Sequence, residues 1–239
     1  MRDLSIGSRA LLFATIIIIV GCVLANNMSV TNGQATTPPS DTITERSLQA
    51  ATAATQNPLL AKWTGPYSGT PPFDRVTVAH FKPALEAAMT ENLSEVERIA
   101  NNAATPTFEN TIAAMERSGS TLDRVTTIYG VWASTMNGPE FQVVQREMAP
   151  RLAAFSDQIT QNEALFRRIE AVYNSPEKSK WTPEQQRLSW YYYTNFVRAG
   201  ARLGGQSKAR LSEINQKLAG LYTRFSQNVL ADETDLFLV

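Results

Sequence analysis

The chain has 239 residues, of which 43% are hydrophobic and 18% charged, so a buried core can form and wholesale disorder is excluded. Its 22 basic and 22 acidic residues cancel, which leaves no basic surplus for nucleic acid and no acidic tail. Cys22 is the only cysteine, so no internal disulfide can form.

The chain opens with a targeting pattern. Arg2 and Arg9 make a positive start, residues 10–20 form a short apolar run, and small residues follow. That run is too short for a comfortable membrane span. Ile19-Val20-Gly21-Cys22 resembles a bacterial lipobox, which makes Cys22 the expected lipidation site. Val23-Leu24-Ala25 offers a competing site for ordinary secretion. Residues 1–25 are therefore expected to be a signal segment. The expected location is the bacterial cell envelope, on the periplasmic side, either lipid-anchored or released after cleavage near Ala25. Contact with a membrane is expected only through Cys22. Residues 26–56 are rich in Asn, Thr, Gln, Ser and Ala around Pro38-Pro39, and read as a disordered linker.

Folding is expected to begin at Asn57-Pro58-Leu59-Leu60. Residues 63–74 hold Pro66, Gly69, Pro71 and Pro72 among aromatics, which predicts an extended strap with Trp63, Tyr67 and Phe73 as plugs. From Val76 onward the period is helical. Phe81, Leu85, Met89, Val96, Ile99 and Ala100 make one stripe, and Pro83 suggests that residues 77–81 form a separate turn. In Pro106-Thr107-Phe108-Glu109-Asn110-Thr111-Ile112, the proline blocks an incoming helix and Thr107 caps a new one. That helix is expected over 107–117, with Gly119 past its end.

The next helix places Leu122, Val125, Tyr129, Trp132 and Met136 on one face and ends at Asn137-Gly138. Pro139 opens another, with Phe141, Val144, Met148, Leu152, Phe155 and Ile159 in line and a kink expected at Pro150. A shorter helix carries Leu165, Phe166, Ile169, Val172 and Tyr173, followed by a loop over 174–180. Thr182-Pro183-Glu184-Gln185 is a capping box with proline in the first turn. The last helix is expected from Ser207, with Leu211, Ile214, Leu218, Leu221, Phe225 and Val229 as its apolar stripe. No useful β-alternation occurs, so the fold class is all-α.

Little in these residues points to chemistry. His80 is the only histidine, and beside Phe81 at a helix start it reads as a surface or capping residue. A two-histidine HExxH zinc motif therefore cannot occur here. No G-x-S-x-G elbow exists, and Cys22 lies in the leader. Glu86, Glu91, Glu109 and Glu116 read as solvated or capping charges, and Asn110 as a group that bonds backbone across a helix junction. Trp190-Tyr191-Tyr192-Tyr193 faces all sides of a helix. Packing against two neighbours is the favoured reading, and lining of a peptide channel is the other.

Several segments resemble the N-terminal region of the thimet oligopeptidase family of zinc metallopeptidases, in particular its bacterial peptidyl-dipeptidases. They are the entry order N-P-L-L, W-x-x-P-Y and P-P-F-D, the run from Pro106 to Ile112 with Glu116-Arg117-Ser118-Gly119, and Ala199-Gly200-Ala201-x-Leu203. The spaced residues Lys208, Leu211, Ile214, Asn215, Leu218, Leu221, Phe225 and Asn228-Val229-Leu230 complete the pattern. The resemblance implies a mostly helical, two-lobed enzyme that hydrolyses short peptides in a deep channel, with zinc held by an HExxH helix elsewhere. It implies that residues 57–239 supply a channel wall and cover, truncated before the catalytic part. No catalytic or zinc-binding residue carries over, so the chain alone is expected to bind no zinc and to be inactive. The alternative expectation is a non-catalytic helical envelope lipoprotein that binds peptides or a protein partner.

Overall fold

A computed structural model describes residues 57–64 and 69–235. The leader with Cys22, the linker, Tyr67 and residues 236–239 lie outside the described residues. Among those described, the chain is helical, and its only β feature is an isolated antiparallel bridge between Thr64 and Thr70. No described helix is long and apolar enough to cross a membrane.

The first helix, α1 (Val78–Ala100), is continuous through Pro83, contrary to the expected separate turn. Its start is fixed at Thr77, whose backbone N–H donates to His80 Nδ1 at 3.0 Å. Burial of Phe81, Ala84 and Leu85 holds the turns on both sides of the proline, so the one forfeited backbone bond does not break the helix. Asn57 reaches the same turn, with Nδ2 donating to the His80 carbonyl at 2.9 Å.

The Pro106–Ile112 motif starts a helix as expected, but its first turn is a π-helical one (Phe108–Ile112) that passes into α2 (Ala113–Arg117). Thr107 and Asn110 cap it reciprocally. Asn110 N donates to Thr107 Oγ1 at 3.1 Å, and Thr107 N donates to Asn110 Oδ1 at 2.8 Å. Asn110 Nδ2 also reaches back to the Thr105 carbonyl at 2.9 Å, the expected bond across the junction. From the opposite side comes Arg168, 6% exposed. Its Nη2 donates to Asn110 Oδ1 at 2.8 Å, and its Nη1 donates to the carbonyls of Asn102 and Ala104 at 2.6 and 3.0 Å.

Gly119, at φ +75°, lets the chain reverse into α3 (Ser120–Thr135). Helix α4 (Pro139–Thr160) opens at Pro139 as expected and runs through Pro150. Helix α5 (Glu163–Tyr173) is followed by a 3-10 turn (Pro176–Lys180) inside the expected loop. Helix α6 (Pro183–Arg198) has the expected capping box. It ends in a Schellman motif, with Ala201 N donating to Phe196 O at 2.9 Å and Gly200 N to Val197 O at 3.1 Å. The last helix, α7 (Gly205–Asp235), starts two residues earlier than expected.

Two cores result. One joins the second half of α1 with Ile112, Met115, α5 and α6, and buries Val96, Leu165, Ile169 and Val172. The other joins Leu59 and Val76 with the first half of α1, α3 and α4. In it Phe81 meets Trp132 and Phe141 edge-on at 5.3 and 5.1 Å. Each fully buried Leu, Ile or Phe side chain contributes about 1.5–3 kcal/mol.

Helix α7 lies antiparallel along α4: Asn215 bonds Asp157, and Gln227 bonds Arg146 and the Gln142 carbonyl. Here the expected stripe is corrected. Of its six residues only Leu218 is buried, at 2% exposure, while Phe225 is 66% exposed. The face turned to α4 instead carries Lys208, Asn215, Ala219 and Gln227, because polar side chains of both helices satisfy one another across the contact. Met136 of α3, expected on the core face, is likewise 56% exposed.

Candidate functional site

The aromatic run on α6 divides among different surroundings. Trp190 is exposed, with the Arg187 guanidinium 4.3 Å from its ring centre. Tyr191 is half-buried and edge-on to Tyr192. Tyr193 stacks on Tyr173 at 4.1 Å, and its hydroxyl accepts from Arg202 at 2.6 Å. Tyr192 points inward, 5% exposed, and its hydroxyl donates to Glu116 Oε1 at 2.7 Å. Burial, reinforced by the Glu116 carboxylate, holds the Tyr192 phenol well above its ordinary pKa. It is therefore a permanent donor at neutral pH.

Glu116 and Tyr192 form the polar edge of a cavity of about 100 Å³ whose apolar walls include Met115, Leu122, Leu152 and Phe155. Gly119 closes one side, its N–H donating to Glu95 Oε2 at 2.6 Å. A tight turn is needed there: a side chain at position 119 would meet Asn92 Nδ2 at 3.0 Å. Glu116, expected as a solvated or capping charge, is half-buried and accepts from the Tyr192 hydroxyl of α6. The expected roles of the other carboxylates hold: Glu109 pairs with Arg117 at 3.7 Å, Glu86 pairs with Arg151, and Glu91 accepts from Thr121 at 3.2 Å. The cavity combines apolar walls with the hydrogen-bonded Glu116, a second acid, Asp123, and the hydroxyl residues Ser118, Ser120, Thr126 and Ser156. That arrangement can seat a side chain.

A larger groove, about 460 Å³, lies between α4, the end of α6 and α7. Its polar lining includes Asp157, Asn215, Arg198 and Asn137 together with Ser156, Thr160, Thr223, Ser226, Gln145 and Gln227, and Leu152 and Leu211 are among the apolar residues. Asp157 is 6% exposed. Its Oδ1 accepts from Asn215 Nδ2 at 2.7 Å, and its Oδ2 has no partner. Sequence reasoning singled out none of Asp157, Asn137 or Arg198. Asp157 falls off the apolar stripe of α4, so periodicity does not point to it, and its partner Asn215 comes from α7.

Residues present here do not fit a zinc centre. His80 Nδ1 is committed to the Thr77 backbone at the start of α1. Among the described residues no group of three or more His, Cys, Asp or Glu side chains is placed to hold a metal ion.

No family model matches the chain. Comparison with curated proteins is informative. The dipeptidyl carboxypeptidase of Salmonella typhimurium is 37% identical over 175 residues, which are 73% of this chain and 26% of that protein. The dipeptidyl carboxypeptidase of Escherichia coli is 35% identical over 177 residues, 74% of this chain and 26% of that protein. Oligopeptidase A of Haemophilus influenzae is 26% identical over 174 residues, 73% of this chain and 25% of that protein. These relatives are peptidases. Over about 70% of its length the chain is a homologue of the thimet oligopeptidase family, with dipeptidyl carboxypeptidases and oligopeptidases A among its relatives. It spans about a quarter of the length of the curated relatives it matches.

Proposed function

We propose that residues 57–239 are a helical wall and cover of an envelope zinc metallopeptidase that hydrolyses short peptides, of the peptidyl-dipeptidase or oligopeptidase type. The observation that carries this reading is the 37% identity to a dipeptidyl carboxypeptidase over 175 residues. In this reading zinc and the catalytic residues belong to a part of the enzyme outside these residues, because a single histidine cannot build a two-histidine site. The described helices act by shape: two cores fix α1 to α6 as a rigid wall, and the α6 aromatics supply apolar surface where that wall meets peptide. In this reading Trp190, the exposed member of the quartet, makes that contact. Tyr191, Tyr192 and Tyr193 position it through their packing. Lipidation at Cys22 would hold the enzyme at the membrane, with residues 26–56 as tether.

The test is replacement. Residues 57–239 are exchanged for the matching segment of the Salmonella dipeptidyl carboxypeptidase, and dipeptide release from a blocked oligopeptide is followed. Zinc-dependent release by the hybrid, with none from the 239-residue chain alone, is expected. A folded hybrid without activity would reject the wall reading. Palmitate labelling that persists in C22A would reject the anchor.

A further inference from the structure

The groove between α4 and α7 holds a carboxylate that has no ion-pair partner among the described residues. Asp157 is 94% shielded, by its 6% exposure, and Asn215 satisfies only one of its oxygens. An ionised carboxylate in such a place is costly unless a donor meets it. The other cations around it are committed. Lys208 donates to the Gln161 carbonyl and pairs with Glu163, and Arg146 donates to Gln227. Arg198 lines the groove but lies beyond ion-pair distance of either Asp157 oxygen, and α6 presents it to solvent. The groove has a second acceptor without a donor, the buried Oδ1 of Asn137.

Two acceptors lacking donors, in one groove of about 460 Å³, ask for a ligand rich in donors and empty of acceptors at its tip. Ammonium and guanidinium groups have that chemistry. The remaining walls suit what would carry them: Leu152, Ala153, Leu211, Ala219 and Tyr222 offer apolar surface to a methylene stem. The volume falls in the range of small-ligand sites, about 300–1,000 Å³.

We infer that the α4–α7 groove is a subsite for a cationic group of an oligopeptide, with Asp157 as its anchor. The inference rests on the peptide-handling reading above and adds to it a preference for positive charge. Asp157 is a binding residue here. Arg198 opposes the ligand's charge and so limits affinity.

The full chain is titrated calorimetrically with acetyl-Ala-Lys-Ala-amide, its arginine counterpart, a neutral norleucine analogue of the same shape, and the norleucine peptide with a free amino terminus. At least one cationic peptide is expected to bind about tenfold or more tightly than blocked norleucine, as one charge-assisted bond allows. Tight binding of the blocked lysine or arginine peptide assigns the site to a side chain, and tight binding of only the free-amine peptide assigns it to a chain terminus. D157N, which keeps an acceptor for Asn215, should abolish the preference. R198Q should strengthen cation binding several-fold, a change that a merely structural Asp157 would not produce. A219W fills the groove while leaving Asp157 and Asn215 in place and should block all binding, so the inference stays testable if D157N fails to fold. Equal binding of lysine and norleucine peptides, or a preference that survives in folded D157N or A219W, overturns it. Because the hybrid-enzyme assay does not depend on this groove, failure here leaves the wall reading standing.

Discussion

The Arg168→Met substitution isolates the contact that ties α5 to the start of α2. The guanidinium makes three hydrogen bonds, at 2.6, 3.0 and 2.8 Å, to the carbonyls of Asn102 and Ala104 and to Asn110 Oδ1. A hydrogen bond to a charged group is worth about 1.5–3 kcal/mol, so the gross loss is about 5–9 kcal/mol. Two effects reduce it. Asn102 and Ala104 are exposed, so water can replace the lost donors. Burial also disfavours the charged arginine, as its lowered pKa indicates, and methionine removes that penalty while keeping most of the volume. A net loss of about 2–3 kcal/mol is therefore expected in urea denaturation. R168K should recover about half of it, since one ammonium cannot reproduce the planar fork. Hydrogen exchange at Thr107 and Asn110 should accelerate in R168M, because their reciprocal cap is held from the Arg168 side. In a double-mutant cycle with N110A, coupling of about 0.5 kcal/mol or more is expected. A loss below about 0.5 kcal/mol in R168M, or strict additivity with N110A, would refute the reasoning.

Gly200→Ala should destabilise by about 1–3 kcal/mol, since its φ is +90° and a new Cβ would sit 2.6 Å from Leu211 Cδ2. Gly204→Ala, with open space at its Cβ, should change stability by less than about 0.5 kcal/mol; equal effects in the two melts would contradict the Schellman assignment. Burial pushes the Tyr129 phenol up to about 12, while in the unfolded chain it ionises at its ordinary value of 10.0. Between those values the unfolded state has lost protons that the native state keeps, so stability falls as pH rises, by about 1.4 kcal/mol per unit and about 2–3 kcal/mol in all. Y129F should flatten part of that alkaline fall and leave stability at pH 7 near wild type; an unchanged slope would show that Tyr129 titrates normally. The purified 239-residue chain should retain no stoichiometric zinc after dialysis, as metal analysis would measure.

Where the sequence determines structure locally, it could be read. Thr107, Thr182 and Pro139 start helices because capping and a fixed φ act within one turn. The stripes of α1, α4 and α5 bury as expected because one face of each meets neighbours close in the chain. Pro83 misled because its local cost is real but smaller than the burial gained on both sides of it. The π-helical turn at Phe108–Ile112 was not legible either, since Arg168, 58 residues away from Asn110, is what grips it.

The site residues show the same limit more sharply. Hydrophobic period names the apolar face of a helix without naming the helix that will cover it. On α7 the apolar stripe turns partly to solvent, and the opposing contact is made by Asn215 and Gln227, whose amides find partners only on α4. Across that contact Asp157 is shielded, with one oxygen open. Glu116 also finds its partner at long range, the Tyr192 hydroxyl of α6, 76 residues on. In both cases the charge comes from the sequence and the partner from a distant helix. Asp157 differs from Glu116 in being buried with one acceptor still unfilled, which is why the proposed cationic subsite is anchored there and not at Glu116.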